Sequence, residues 1–282
     1  MKTQRNTKGK IFLTGLVVTL ALAVFAIPAL AITWGDIDHD NTYNNVGSIV
    51  IISLDESEYF QFCSGTLIHR RGFLTAGHCT DYLEELIDAG TLDPERIFVS
   101  FEPDLAIPDL PVYEVQQLIT HPDYGTAPNE FFDIGLVILD KPVKHTPLAN
   151  LPTANYLDDL RASGQLKEKN VGAEFLVVGY GVTLNWPPHE FVDNMLRRYA
   201  YSEYISLGHE YLRMSQNPNH DNGGTCFGDS GGPTFWEEED GRLVLVALTA
   251  TGDGACMATG FAYRVDLPSS LEFIQANLSP IK

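Results

Sequence analysis

The sequence predicts an all-β fold, and three observations carry the prediction. Its apolar runs are short, rich in Val, Ile, Leu and Phe, and closed by Gly, Pro, Asp or Asn. They do not alternate with long helical patterns, as the strands of a parallel α/β sheet would. The chain beyond residue 31 is long enough for two small barrels or one larger domain with a sizeable core. No internal repeat and no low-complexity tract interrupts it.

Residues 1–31 are read as a targeting segment and not as fold. Lys2, Arg5, Lys8 and Lys10 form a basic head without an acid, residues 11–27 are apolar, and Ala29-Leu30-Ala31 offers small residues where a signal peptidase cuts. The expected product is secreted, extracellular or periplasmic, without stable membrane association. Strands are expected at 46–52, 96–101, 134–139, 173–178 and 243–249. A short helix is expected at 81–89, after Cys79. A C-terminal helix should follow Pro268, with Ser269 as its N-cap and Leu271, Ile274 and Leu278 on one apolar stripe against the second half of the chain. The 147–152 region is the expected link between two halves, 32–148 and 149–282.

Eighteen Lys and Arg face 37 Asp and Glu, a net charge of −19, and loss of the basic leader makes the balance more negative. Such a surface repels nucleic acid and anionic membranes. The four cysteines, Cys63, Cys79, Cys226 and Cys256, read as two disulfides behind a secretory signal. Three pairings are possible, and proximity in sequence favours Cys63 with Cys79 and Cys226 with Cys256. A zinc site of all four is disfavoured because no Cys-x-x-Cys pair occurs. His209-Glu210 and His189-Glu190 lack the second histidine of a zinc-peptidase helix. Asn277-Leu278-Ser279 is a glycosylation tripeptide by pattern, expected to be unused.

The chemistry concentrates in three blocks. Gly228-Asp229-Ser230-Gly231-Gly232-Pro233 surrounds a serine with turn-forming glycines, and the amides of Gly228 and Ser230 can converge on one oxyanion. Leu74-Thr75-Ala76-Gly77-His78-Cys79 sets a histidine, the natural base for a serine, beside a cysteine. Phe132-Asp133-Ile134-Gly135-Leu136 puts a carboxylate at the mouth of an apolar strand, where it needs a partner such as an imidazole N–H.

In this order the blocks closely resemble those of chymotrypsin/trypsin-type serine peptidases. Weaker echoes at Cys63-Ser64-Gly65, His121-Pro122-Asp123-Tyr124, Gly179-Tyr180-Gly181 and Gly260-Phe261-Ala262 extend the resemblance over essentially all of residues 32–282. It implies two six-stranded antiparallel barrels with a C-terminal helix and a site in the cleft between them. It also implies an endopeptidase of protein or peptide substrates, a monomer needing no cofactor and no metal. Ser230 would attack, His78 would carry the proton and Asp133 would orient the imidazole, roles taken from the general Ser-His-Asp template, itself drawn from this family. The family's disulfides match Cys63–Cys79 and Cys226–Cys256. Its acid beside the serine, here Asp229, pairs with the α-amine of a newly cut terminus. Signal removal before Ile32-Thr33-Trp34-Gly35 would create that terminus directly, since no Lys or Arg lies between Ile11 and His69. Gly224 stands where trypsin-like members carry an aspartate, and Gly252 and Gly260 stand at the pocket walls. A roomy uncharged slot, and with it a hydrophobic or aromatic P1 residue, is the expectation, with Asp221 and Asp253 as the carboxylates that could instead draw a basic one. The rival is an inactive secreted binding protein on the same fold.

Overall fold

Strands that bury one face need a second layer or closure to cover it, and here both halves close. The computed structural model describes residues 32–55, 57–126, 131–166, 173–185, 190–193 and 195–278; the leader-like segment 1–31 and Ser279 lie outside them. A short strand β1 (Asp36–Ile37) is followed by the first barrel: β2 (Val46–Ile52), β3 (Tyr59–His69), β4 (Gly72–Thr75), β5 (Ile97–Ser100), β6 (Tyr113–Thr120) and β7 (Gly135–Leu139). They close in the order β2-β3-β4-β7-β6-β5, every neighbour antiparallel. β8 (Glu174–Gly179) opens the second barrel, and β9 (Thr183–Asn185) and β10 (Glu190–Val192) form a separate hairpin. The second barrel continues through β11 (Arg198–Leu207), β12 (Tyr211–Ser215), β13 (Pro233–Glu237), β14 (Leu243–Gly252) and β15 (Thr259–Arg264). Its ring runs β8-β11-β12-β15-β14-β13 and returns to β8, with β1 added outside on β11. The expected two-barrel, all-β fold is therefore present. The five expected strands are β2, β5, β7, β8 and β14, with ends moved by up to three residues.

The helices depart from expectation for identifiable reasons. α1 covers Gly77–Asp88 and so begins four residues before the expected start, placing His78 in its first turn. Its N-cap, Ala76, has no capping side chain, so nothing local marks the start. α2 (Tyr156–Ala162) was not expected; Asn155 before it is left-handed, and the Leu157 N–H is capped by Asp266 Oδ2 at 2.8 Å from over a hundred residues away. α3 (Pro268–Leu278) starts at the proline, so Ser269 lies inside the helix and is not its N-cap. The helix does not face the second half alone. Phe273 lies 5.0 Å from the His121 ring, and Leu278 packs where a side chain on Gly72 would project, both on the first barrel. The helix thereby seals a core that draws Leu74, Leu136 and Ile138 from one barrel and Leu176, Val178 and Tyr263 from the other.

The junction is also held by polar groups. Ala149 N–H donates to Leu67 O and Leu245 N–H to Asn150 O, so residues 149–150 step from one barrel to the other. Arg197 is fully buried; its Nε donates to Asp38 Oδ2 at 2.8 Å, and Nη1 to Val46 O, Phe101 O and the Tyr180 hydroxyl at 2.9, 2.9 and 3.0 Å. A buried guanidinium is tolerated only when paired and hydrogen-bonded in this way. It ties the N-terminal segment and the first barrel to the start of β11.

Candidate active site

The site is assembled from short loops at the cleft. His78 sits on α1, which the Cys63–Cys79 disulfide ties to β3. Gly77 permits the approach of the next element: a Cβ there would come within 2.9 Å of Ile134 N. Asp133, at the entrance to β7, is nearly buried and accepts from the His78 backbone N–H at 2.8 Å. Its two oxygens lie 3.1 and 3.0 Å from His78 Nδ1. A carboxylate accepts and cannot donate, so Nδ1 carries the proton and Nε2 is left as the acceptor facing away.

Ser230 comes from the loop before β13. The Ser64 N–H on β3 donates to Ser230 O at 2.8 Å, Ser64 Oγ to Gly228 O at 3.0 Å, and Gln61 Nε2 to the same carbonyl at 2.8 Å. Gly228 (φ +94°) and Gly231 (φ +76°) adopt backbone that side chains resist, and a Cβ on Gly231 would collide with the Thr75 hydroxyl. The serine loop of the second barrel is thus clasped by β3, which carries the disulfide tether of the His78 helix, and by β4, which leads into that helix. Among the described residues nothing accepts a hydrogen bond from the Gly228 or Ser230 N–H. The second disulfide, Cys226–Cys256, anchors the loop's start. Both pairs are those favoured by the sequence, which removes the four-cysteine zinc alternative. Cys63, His78 and Cys79 lie close enough to suit a metal, but both sulfurs are already bonded to each other.

Asp229 is fully buried, and its oxygens accept from Gly181 N and Cys226 N, both at 2.8 Å. Burial pushes its carboxyl up to about 7, against the two backbone bonds that favour ionisation. Among the described residues no cation pairs with it. Ile32 is also fully buried, within the second-barrel core beside Leu157 and Ala200. Thr33 bridges to Gly224: Gly224 N–H donates to Thr33 O at 3.0 Å, and the Thr33 hydroxyl donates to Cys256 O at 2.8 Å.

Gly224, Gly252 and Gly260 are brought together, but the slot between them is not the roomy one expected. Gln216, just past β12, fills it: a Cβ on Gly224 would meet its Cδ and Nε2 at 2.5 Å, one on Gly260 its Nε2 at 2.9 Å, and one on Gly252 its Oε1 at 3.7 Å. No motif marks Gln216, and sequence reasoning missed it. Asp253 is committed elsewhere, accepting from Met257, Ala258 and Thr259 N–H groups at 3.2, 2.8 and 2.8 Å. Partial burial opposes its ionisation, but these bonds outweigh that and hold its carboxyl below the ordinary value. Asp221 is exposed at the end of a 3-10 turn.

Comparison with known proteins agrees with this architecture. The chain is 25% identical to Phenoloxidase-activating factor 1 of Holotrichia diomphalia over 80% of this chain and 64% of that protein. It is 25% identical to Tryptase of Mus musculus (73% and 74% covered) and 29% identical to Trypsin of Saccharopolyspora erythraea (69% and 77% covered). The chain thus spans less than two thirds of the first of these relatives. No helix among the described residues is long and apolar enough to cross a membrane. The Trypsin family model matches residues 37–271, most of the chain and both barrels, and with it the chain belongs to the Trypsin family of serine proteases.

Proposed function

We propose that this protein is a secreted, monomeric serine endopeptidase in which Ser230 attacks the peptide carbonyl, His78 relays the proton and Asp133 holds the imidazole. The observation that carries the reading is the double engagement of Asp133, which takes both the backbone N–H and Nδ1 of His78. That contact leaves Nε2 as the only basic ring nitrogen. His78 Nε2 takes the Ser230 proton as Oγ bonds the carbonyl carbon, then returns it to the departing amine; water repeats the cycle on the acyl-enzyme. The uncommitted N–H groups of Gly228 and Ser230 serve the oxyanion, where losing one donor costs about 100- to 1000-fold in rate.

The reading extends to activation. Cleavage before Ile32 frees an α-amine that ion-pairs with Asp229. Support comes from the burial of both residues, from the missing cation at Asp229, and from the Thr33–Gly224 bridge that holds this segment on the loop leading to Ser230. Among the described residues no carboxylate is nearest to Gly224, Gly252 or Gly260, which favours an uncharged P1 residue with an apolar stem.

The test is a fluorophosphonate probe on the protein beginning at Ile32. Labelling that disappears in Ser230→Ala and His78→Ala, together with peptide hydrolysis, is expected. An unlabelled, folded protein would instead be an inactive binding protein on the same fold.

A further inference from the structure

Three glycines aim their missing side chains at one buried amide. We propose that Gln216 is the floor of the primary specificity pocket and, with Thr225, selects a P1 side chain ending in a carboxamide, glutamine or asparagine. The proposal rests on the peptidase reading and names the substrate class for that site.

Gln216 is 1% exposed. Its Nε2 donates to Thr225 O at 2.8 Å and to the Thr225 hydroxyl at 3.2 Å. A carbonyl oxygen can only accept, so the NH₂ must face Thr225 and the amide cannot be turned over. Oε1 is left buried without a hydrogen-bond partner. Buried polar atoms are nearly always paired, and an orphan beside a substrate slot points to a ligand that supplies the missing donor. Oε1 borders the space at Gly252, one of the two expected pocket walls, 3.7 Å from where its Cβ would stand.

Thr225 supplies the complement. Its hydroxyl accepts from Nε2 and still has a proton to give. The Gln216 amide thus carries an unpaired acceptor, Oε1, and holds through Nε2 a hydroxyl with a proton to give, and a carboxamide has an NH₂ for the first and a carbonyl for the second. Two other substrate classes fit less well. A leucine or methionine leaves Oε1 and the Thr225 proton unpaired. A lysine or arginine has no acceptor for Thr225, finds the Asp253 carboxylate already bound to backbone, and needs the depth above Gly224 that Gln216 occupies. Sites built to hydrogen-bond a substrate group reject analogues that lack it far more strongly than apolar slots sort methylenes.

The experiment uses the protein beginning at Ile32 and peptides that differ only at P1. Glutamine and methionine have similar length and stem, as do asparagine and leucine. The expected result is kcat/KM for P1 glutamine at least about tenfold above methionine, the same order for asparagine over leucine, and a ratio falling to within about twofold of one in Gln216→Met. Higher rates with methionine, leucine, lysine or arginine overturn the assignment, as does a glutamine preference that survives in a folded Gln216→Met. If that variant does not fold, the comparison on the unaltered protein still decides. A chain that neither labels nor cleaves would mean that the peptidase reading has failed. In that case the affinities of Ser230→Ala for the same peptides decide separately, and equal binding of glutamine and methionine, or no binding, overturns the pocket assignment.

Discussion

If cleavage before Ile32 supplies the cation for the buried Asp229, freeing that α-amine should move the loss of stability from the acid-to-neutral range to the alkaline range. Two forms isolate the effect: one beginning at Ile32 and one retaining Ala31 ahead of it, both carrying Ser230→Ala to prevent self-digestion. In the form retaining Ala31, burial raises the Asp229 carboxyl from its ordinary 3.8 to about 7. Between those pH values the unfolded chain has released the proton while the folded chain keeps it. Stability from this group is therefore complete below about pH 4 and is lost as pH rises to about 7. At about 1.4 kcal/mol per pH unit, a span of roughly three units amounts to about 4 kcal/mol. In the cut form, the ammonium keeps Asp229 ionised and that decline vanishes. The paired amine, ordinarily titrating near 8, is raised instead, so its contribution persists through neutrality and is lost only in the alkaline range. Urea denaturation of both forms at pH 5, 7 and 9 reads the difference, and other titrating groups cancel between them. The cut form should gain several kcal/mol relative to its partner between pH 5 and 7. Parallel profiles would refute the pairing of Ile32 with Asp229.

Two structural predictions follow from the junction and the His78 tether. Arg197→Met strands the Asp38 carboxylate in the interior, and breaking a buried pair of this kind costs about 3–5 kcal/mol in chemical denaturation; adding Asp38→Asn should recover part of the loss because no lone charge remains. Replacing Cys63 and Cys79 together by serine opens a loop of sequence separation 16, a loss of about 3 kcal/mol on chain-entropy grounds. Since this bridge holds the His78 helix to β3, peptidase activity should fall at lower urea concentrations than bulk unfolding, measured on the same samples.

What could be read from the sequence, and what could not, divides by the range over which each feature is encoded. The blocks around His78, Asp133 and Ser230 announce themselves because each packs its turn glycines and its reactive group into about six consecutive residues. Strands such as β2 and β7 are legible for the same reason: the residues that bury them are contiguous. α2 was missed because its N-terminal cap is Asp266, a side chain that reaches it only in the folded barrel. Ser269 misled because a capping residue type next to Pro268 looks like a helix start, whereas the proline itself begins the helix.

Gln216 is the sharpest instance of long-range encoding. In Met214-Ser215-Gln216-Asn217 it has no motif, and its role follows from glycines at positions 224, 252 and 260, each of which withholds a side chain from the same space. Read alone, three glycines imply an empty slot. In the fold, their missing side chains make room for another residue's amide. On the proposed assignment, specificity depends on a group whose side-chain partner, Thr225, and neighbouring glycines lie on other strands or loops. This explains why the reaction centre can be read directly while a preference cannot: the nucleophile needs a local backbone shape, but the space around Gln216 is a property of closure, set only when β12, β14 and β15 have paired.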